Sequence, residues 1–347
     1  MRHPSATVAL LAAAVIGGAG LAPAAAHARS AHATDSTDST RSAHLRSATP
    51  QARAAWVRSC AGEDDSTRPC GHWRLILRDG GAKVVRDAAI GRIDRKGNEI
   101  HDTAAFAISA DGRVIAYERA GDHRLVVRGT AGGPARVLPA ALTAKGTDPL
   151  TLRLSPTGDR LLVDYDDAPG RRHDLVVTLA TGATAKLPAA EQPLGFSGDG
   201  GEVISTRYTA DNTTVVYAHT LGGATVRRTP PQAVAGAVAL ALNPDGHTVA
   251  VFTPGDDSPR RPPRVRVYDL ESGELTAGAD LPLKAEEAPY TARWAADGTL
   301  TAVVQTGEDG DRAVVRELTV DPETGATRQT DRYTISGTRY ANVVAGE

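Results

Sequence analysis

Five stretches of the chain repeat one pattern of apolar and polar positions: FAISADGRVIAY (106–117), LRLSPTGDRLLVDY (152–165), LGFSGDGGEVIS (194–205), LALNPDGHTVAVF (240–252) and ARWAADGTLTAVV (292–304). Each is a short apolar run, a polar turn ending in Gly, and a second apolar run. The turn glycines are Gly112, Gly158, Gly200, Gly246 and Gly298, spaced by 46, 42, 46 and 52 positions. A tight hairpin needs one residue at positive φ, which Gly supplies without steric cost. Ser or Asn at the first turn position bonds back into the turn, and Pro fits the second. Each motif therefore predicts a hairpin. The flanking runs are continuous in apolar character and do not alternate, which marks strands buried on both faces.

A third apolar strand follows each hairpin, at 124–129, 174–180, 213–219, 264–270 and 313–320. A fourth, more polar segment comes after another glycine turn: ARVLP, ATAKLP, ATVRRTP, GELTAG and GATRQT. Four antiparallel strands per repeat, with burial falling outward, predict an all-β chain folded as a β-propeller of four-stranded blades. Near the N-terminus, 54–60, 72–79 and 82–88 read as the second, third and fourth strands of a blade without a first. TRYANVV (338–344) reads as a lone first strand. Joined, they predict a sixth blade that closes the ring and removes open edges. Five or seven blades are alternatives, and a β-sandwich of the same hairpins is disfavoured by the regular period and the split blade.

The Asn-Pro-Asp-Gly turn of NPDGHTVAVF (243–252) and the VYDL strand of RVRVYDLESGEL (264–275) resemble the WD-like repeats of TolB-type propellers, and the likeness covers about residues 54–344. Thr157 stands where those repeats carry Asp, and Ala295 where they carry Ser. Their α/β N-terminal domain has no counterpart here. The resemblance implies the exported TolB-like or WD-repeat-like propeller proteins of high-GC Gram-positive bacteria. It speaks to fold and hardly to activity, because propellers host many functions.

The start of the chain changes the picture of where the protein works. Arg2 and His3, the apolar run 7–22 and Ala26-His27-Ala28 predict a signal peptide over 1–28, cleaved after Ala28, and hence a secreted protein. Residues 29–53 carry few large apolar side chains and predict a disordered leader before a propeller domain over 54–347. His32 and His44 in that leader read as solvated tail residues. No later run reaches the ~18 apolar residues of a membrane span. Cys60 and Cys70 are the two cysteines, and in an exported chain they predict a disulfide stapling a hairpin of the composite blade.

Composition narrows the chemistry. A formal net charge of −2 argues against nucleic-acid binding, and 4% aromatics leave few stacking platforms. There is no G-x-S-x-G, HExxH or P-loop, so no catalytic, cofactor or metal residues are expected. Asp164, Asp166 and Asp167, then Asp256 and Asp257, then Glu308, Asp309 and Asp311 cluster between second and third strands. They lack the spacing of a Ca²⁺ loop and read as solvated hairpin tips. His72, His101, His123, His173, His219 and His247 fall singly across the blades.

The remaining candidate surfaces are the connections between blades, 87–102, 139–149, 188–193, 229–237, 282–290 and 331–337, expected on one face around a channel mouth. The long tip 254–263 is expected to project from the opposite face. The functional expectation is a monomeric, non-catalytic binding module for a protein or cell-envelope polymer. The alternative is a secreted hydrolase or lyase with its site at the channel mouth.

Overall fold

Every one of the five glycine turns joins two antiparallel strands. Gly112, Gly158, Gly200, Gly246 and Gly298 have φ between +72° and +81°. The Gly N–H donates to the carbonyl three residues earlier, as from Gly112 to Ser109 at 2.8 Å. In the first turn the Ser109 hydroxyl also donates to Asp111 at 2.6 Å. The computed structural model describes residues 49–347 apart from 64–65, 166–171, 257–259 and 308–309 and the side chain of His101.

The chain begins with β1 (Ala52–Ala61), β2 (Thr67–Leu77) and β3 (Ala82–Val85), followed by a separate hairpin of β4 (Gly91–Ile93) and β5 (Glu99–Thr103). The second sheet holds β6 (Phe106–Ile108), β7 (Val114–Glu118), β8 (Leu125–Gly129) and β9 (Arg136–Val137). The third holds β10 (Thr151–Leu154), β11 (Arg160–Asp164), β12 (Leu175–Thr178) and β13 (Thr184–Lys186). The fourth holds β14 (Gln192–Phe196), β15 (Glu202–Tyr208), β16 (Thr214–Thr220) and β17 (Thr225–Arg228). The fifth holds β18 (Ala239–Leu242), β19 (Thr248–Thr253), β20 (Arg264–Asp269) and β21 (Ala279–Asp280). The sixth holds β22 (Thr291–Trp294), β23 (Leu300–Thr306), β24 (Ala313–Val320) and β25 (Thr327–Ile335). Last comes β26 (Arg339–Val344), which pairs with β1, so the first sheet runs β26-β1-β2-β3. Among the described residues, helix is confined to two single turns in connections, Ala140–Leu142 and Gln232–Ala235.

The described residues thus make six four-stranded antiparallel sheets in a propeller-like arrangement, all but the first paired in chain order. Six buried clusters fill the seams between successive sheets. The apolar runs are continuous because alternate residues enter opposite seams. In β19, Ala250 and Phe252 pack toward the sixth sheet, while Val249 and Val251 pack toward the fourth. The seam between the sixth and first sheets buries Val303, Val315, Tyr333 and Ile335 against Ala54 and Val344.

That last seam also carries an ion-pair network. Arg53 Nη1 on β1 lies 2.8 Å from Asp331 on β25, and Arg78 reaches Asp331 at 3.5 Å and Glu317 at 3.7 Å. Glu317 on β24 is held at 3.2 Å by Arg293 of β22. The Tyr333 hydroxyl donates to the Arg53 carbonyl at 3.1 Å. Basic residues of outer strands latch other seams: Lys83 donates to the Thr130 carbonyl at 2.8 Å, and Arg228 to that of Leu270 at 2.8 Å.

Four details differ from the sequence expectations. β1 starts at Ala52, inside the segment expected to be leader, because the Ala52 N–H bonds the Gly112 carbonyl at 2.7 Å and Arg53 is built into the seam. The signal segment, His32, His44 and the leader through residue 48 lie outside the described residues. The fourth strand of the fifth sheet is Ala279–Asp280 and not GELTAG, of which Leu275 contributes an isolated bridge to Tyr268. Gly278, at φ +77°, turns the chain between the two segments. The connection 87–102 contains the unexpected β4–β5 hairpin.

The fourth difference concerns the faces. The described base of the tip 254–263 lies on the same side as the connections between sheets, since a Cβ on Gly255 would fall 2.6 Å from Ala285 Cα in the connection 282–290. Antiparallel order requires this: second-to-third and fourth-to-first connections leave at the same end of a blade.

Cys60 on β1 and Cys70 on β2 are disulfide-bonded with Cα atoms 5.9 Å apart, near the exposed end of that hairpin. The bond closes a loop of ten positions between strands two and three. Replacing both cysteines by Ser is expected to lower stability by roughly 2–3 kcal/mol through the freed unfolded chain. Urea unfolding with and without reductant measures it, and an unchanged midpoint would mean the strand ladder alone fixes the hairpin.

Candidate functional site

The inner strands of the third to sixth sheets surround a cavity of about 650 Å³. Its apolar lining includes Leu154 of β10, Phe196 of β14, Leu240 of β18 and Trp294 of β22. The Trp294 indole N–H donates to the Ala241 carbonyl at 3.1 Å, which fixes the ring across the fifth and sixth sheets. Strand ends and connections add Asp174, Glu191, Gln192, Arg207, Tyr208, Val238 and Tyr290 to the lining. Tyr208 (69% exposed) and Val238 (42%) are the two large hydrophobic side chains of the described residues that stand exposed, and both line this cavity.

Most charges in the wall are neutralised locally. Arg153 pairs with Asp164 at 3.4 Å. Arg172 stacks 3.2 Å over the Tyr165 ring and donates to the Leu142 carbonyl at 3.2 Å. Asp174 accepts the Tyr165 N–H at 2.9 Å, and Glu347 accepts that of Val344 at 3.0 Å. The Tyr290 hydroxyl is buried with no hydrogen-bond partner among the described residues, and burial pushes its pKa far up.

One polar cluster sits at the edge of the cavity. Glu191, in the connection 188–193, places Oε2 2.5 Å from the Ser205 hydroxyl of β15, which donates to it. The same oxygen lies 2.6 Å from His219 Nε2 of β16. His219 Nδ1 is 2.9 Å from the Thr225 hydroxyl, and its ring stacks on Tyr217 with centroids 5.8 Å apart. Ser, His and Glu here do not form a nucleophile relay. Such a relay needs the serine hydroxyl on the imidazole and the acid on the far ring nitrogen. In this cluster Ser205 and His219 both converge on the carboxylate, and Ser205 is buried. The trio fixes the Glu191 side chain at the cavity wall.

A second buried acid supports the connections above the second and third sheets. Glu118, at the end of β7, pairs with His123 and accepts the Thr147 hydroxyl at 2.9 Å. Burial raises its pKa against the opposing effect of these two bonds.

His219 and Asp164 are the residues singled out from sequence that the structure places at the cavity wall, Asp164 directly and His219 through Glu191. His173, beside the Leu187 carbonyl at 2.8 Å, and His247, 2.9 Å from Asp269, serve their own strands. Asp166, Asp167, Asp257, Glu308 and Asp309 lie outside the described residues. Asp311 offers its backbone carbonyl to Arg339 at 2.6 Å. Among the described residues, no group of three or more His, Cys, Asp or Glu side chains could hold a metal, and no helix is long and apolar enough to cross a membrane. Glu191, Arg207, Tyr208 and Val238 lie outside the repeat motifs, and Ser205 ends one of them without any mark of a site. The one signal available was that 188–193 is a connection between repeats.

No protein-family model and no curated protein matches the chain. Among solved structures, the chain is similar to a putative TolB from Agrobacterium tumefaciens, with TM-score 0.45 and 13% identity over 84% of this chain and 92% of that one. It is similar to a chain of a nidogen/laminin complex, with TM-score 0.46 and 11% identity over 84% and 98%. It is also similar to an acylaminoacyl peptidase from Pyrococcus horikoshii, with TM-score 0.45 and 15% identity over 81% of this chain and 45% of that one.

Proposed function

We propose that the protein is an exported, monomeric, non-catalytic binding module, using the cavity at the centre of a six-bladed ring that its N- and C-terminal strands close. The observation that carries the reading is the cavity itself: a preformed space lined by apolar side chains and a few fixed polar groups, with two exposed hydrophobic side chains among its lining. Small-ligand and partner sites on rigid scaffolds have this composition. Export rests on the apolar run before Ala26-His27-Ala28 and agrees with a disulfide, which persists in oxidising compartments. Ring closure is supported by the pairing of β26 with β1 and by the filled seam between the sixth and first sheets. The partner in this reading is a protein or polymer of the cell envelope.

The double variant Tyr208→Ala/Val238→Ser tests it. The wild-type protein is expected to hold one partner from cell-envelope extract, and the variant to bind that partner at least about tenfold more weakly, as for loss of an aromatic anchor. Its melting temperature should not change, since both side chains face solvent. Turnover of an ester, lactone or glycan panel by the wild type would overturn the non-catalytic reading.

A further inference from the structure

The ion pair between Arg293 of β22 and Glu317 of β24 is joined by a single bond, from Arg293 Nη2 to Glu317 Oε2 at 3.2 Å. Guanidinium and carboxylate often join through two parallel bonds. Here the second is not made: Arg293 Nη1 and Glu317 Oε1 are both buried with no hydrogen-bond partner among the described residues. The Tyr290 hydroxyl is a third buried group without a partner, and the charges of Arg293 and Glu317 both act on it. Tyr290 packs on the apolar cluster between the sixth and first sheets, in the same seam where Arg78 reaches Glu317. The three unfilled positions therefore belong to one place. Enclosed polar atoms of this kind are costly to leave unpaired. Tyr290 and Arg293 both line the cavity, so a group that pairs with them enters from there.

The three atoms together select a chemistry. Arg293 Nη1 can only donate, an ionised Glu317 Oε1 can only accept, and a tyrosine hydroxyl can do either. A ligand carboxylate would suit Arg293 but set like charge against Glu317. A ligand ammonium would suit Glu317 but set like charge against Arg293. An alcohol hydroxyl carries one donor and two lone pairs. It can accept from Arg293 and from Tyr290 and donate to Glu317, which leaves none of the three unpaired. Arg293 and Glu317 also neutralise each other, so the place favours a ligand without net charge. The rest of the lining suits a ring that is polar at its edge and apolar on its faces. Phe196, Tyr208 and Trp294 line the same cavity as Tyr290, in a chain that is only 4% aromatic. Binding sites of this size combine such apolar surface with a few placed polar groups.

We propose that the cavity binds a neutral saccharide, one of whose hydroxyls sits among Arg293 Nη1, Glu317 Oε1 and the Tyr290 hydroxyl. The proposal rests on the reading of the cavity as a binding site, and it selects the envelope polymer of that reading as the partner. The existing Arg293–Glu317 bond holds both side chains in place before the sugar arrives, which lowers the ordering cost of binding. A lone water molecule is the other group that could pair with these atoms, and the test separates the two.

Isothermal titration calorimetry of the full chain tests this with cellobiose, N,N′-diacetylchitobiose and α-1,6-mannobiose as neutral probes. Cellobiouronic acid and de-N-acetylated chitobiose are the charged counterparts of the first two. At least one neutral probe is expected to bind, and neither charged probe as tightly. Tyr290→Phe removes one hydroxyl that bonds no other described residue. It should weaken the bound sugar about fivefold, as for loss of one hydrogen bond, and leave the melting temperature of the sugar-free protein unchanged or raised. A charged probe that binds as well as its neutral counterpart would overturn the proposal. A sugar weakened by Tyr208→Ala but not by Tyr290→Phe would also overturn it, while leaving the cavity reading in place. No heat from any neutral probe at millimolar concentration, with a melting temperature lowered by Tyr290→Phe, would assign the three atoms to a structural water. No heat with an unchanged melting temperature overturns the sugar as well, and in both cases the envelope-extract experiment decides the cavity reading on its own.

Discussion

Gly112→Ala is expected to destabilise the protein by about 2–5 kcal/mol, whereas Gly298→Ala, at the equivalent turn of the sixth sheet, should cost only about 1–2 kcal/mol. Both glycines have positive φ, +72° and +81°, so both substitutions force an alanine into the left-handed region. The difference lies in what a Cβ would meet. At Gly298 there is nothing within 4 Å. At Gly112 it would overlap the Ala52 carbonyl oxygen and lie 3.0 Å from the Ala52 nitrogen and 3.2 Å from its carbonyl carbon. Those are backbone atoms at the start of β1, held there by the Ala52 N–H to Gly112 carbonyl bond of 2.7 Å. They cannot swing away as a side chain would. The chain must open the seam between the first two sheets or stay strained. Urea midpoints for the two variants measure the contrast, and equal shifts would show that φ alone matters at these turns.

The same pair shows what could be read from the sequence. Five turns with one pattern were visible because a hairpin needs a positive φ, and glycine at a regular spacing is the chemical record of that need. The strands were visible because burial on both faces removes polar residues from whole runs. Nothing in the chain distinguishes Gly112 from Gly298, however, since the neighbour that makes Gly112 critical is 60 positions away. The site was hidden for the same reason. Glu191, Ser205, Arg207 and His219 lie on a connection and two strands, joined by ladder register, and no short motif records a register. Tyr208 and Val238 look like ordinary strand residues until the fold leaves them lining a cavity. The outermost strands were read least well, because two-residue pairings such as Arg136–Val137 and Ala279–Asp280 impose almost no pattern on composition.

Breaking the ion-pair network at the seam of the first and sixth sheets should have an effect as large as any single side-chain change in the fold. Glu317 is 3% exposed and neutralises Arg293 at 3.2 Å and Arg78 at 3.7 Å. Its Oε1 and Arg293 Nη1 are buried without hydrogen-bond partners, so the group already carries a desolvation cost that only mutual attraction offsets. Glu317→Gln removes the charge and keeps the shape. Arg293 is then left buried and unpaired, and the expected loss is roughly 3–5 kcal/mol. Because the pair is shielded from solvent, the loss should change little with ionic strength. Lys284→Ala, which removes an exposed pair with Glu286 at 3.9 Å, should cost no more than about 1 kcal/mol and supplies the control. The double variant Glu317→Met/Arg293→Met should recover much of the loss, since it removes both buried charges together. Matched shifts for Glu317→Gln and Lys284→Ala would mean that the apolar cluster around Val303, Val315 and Tyr333 holds the seam unaided.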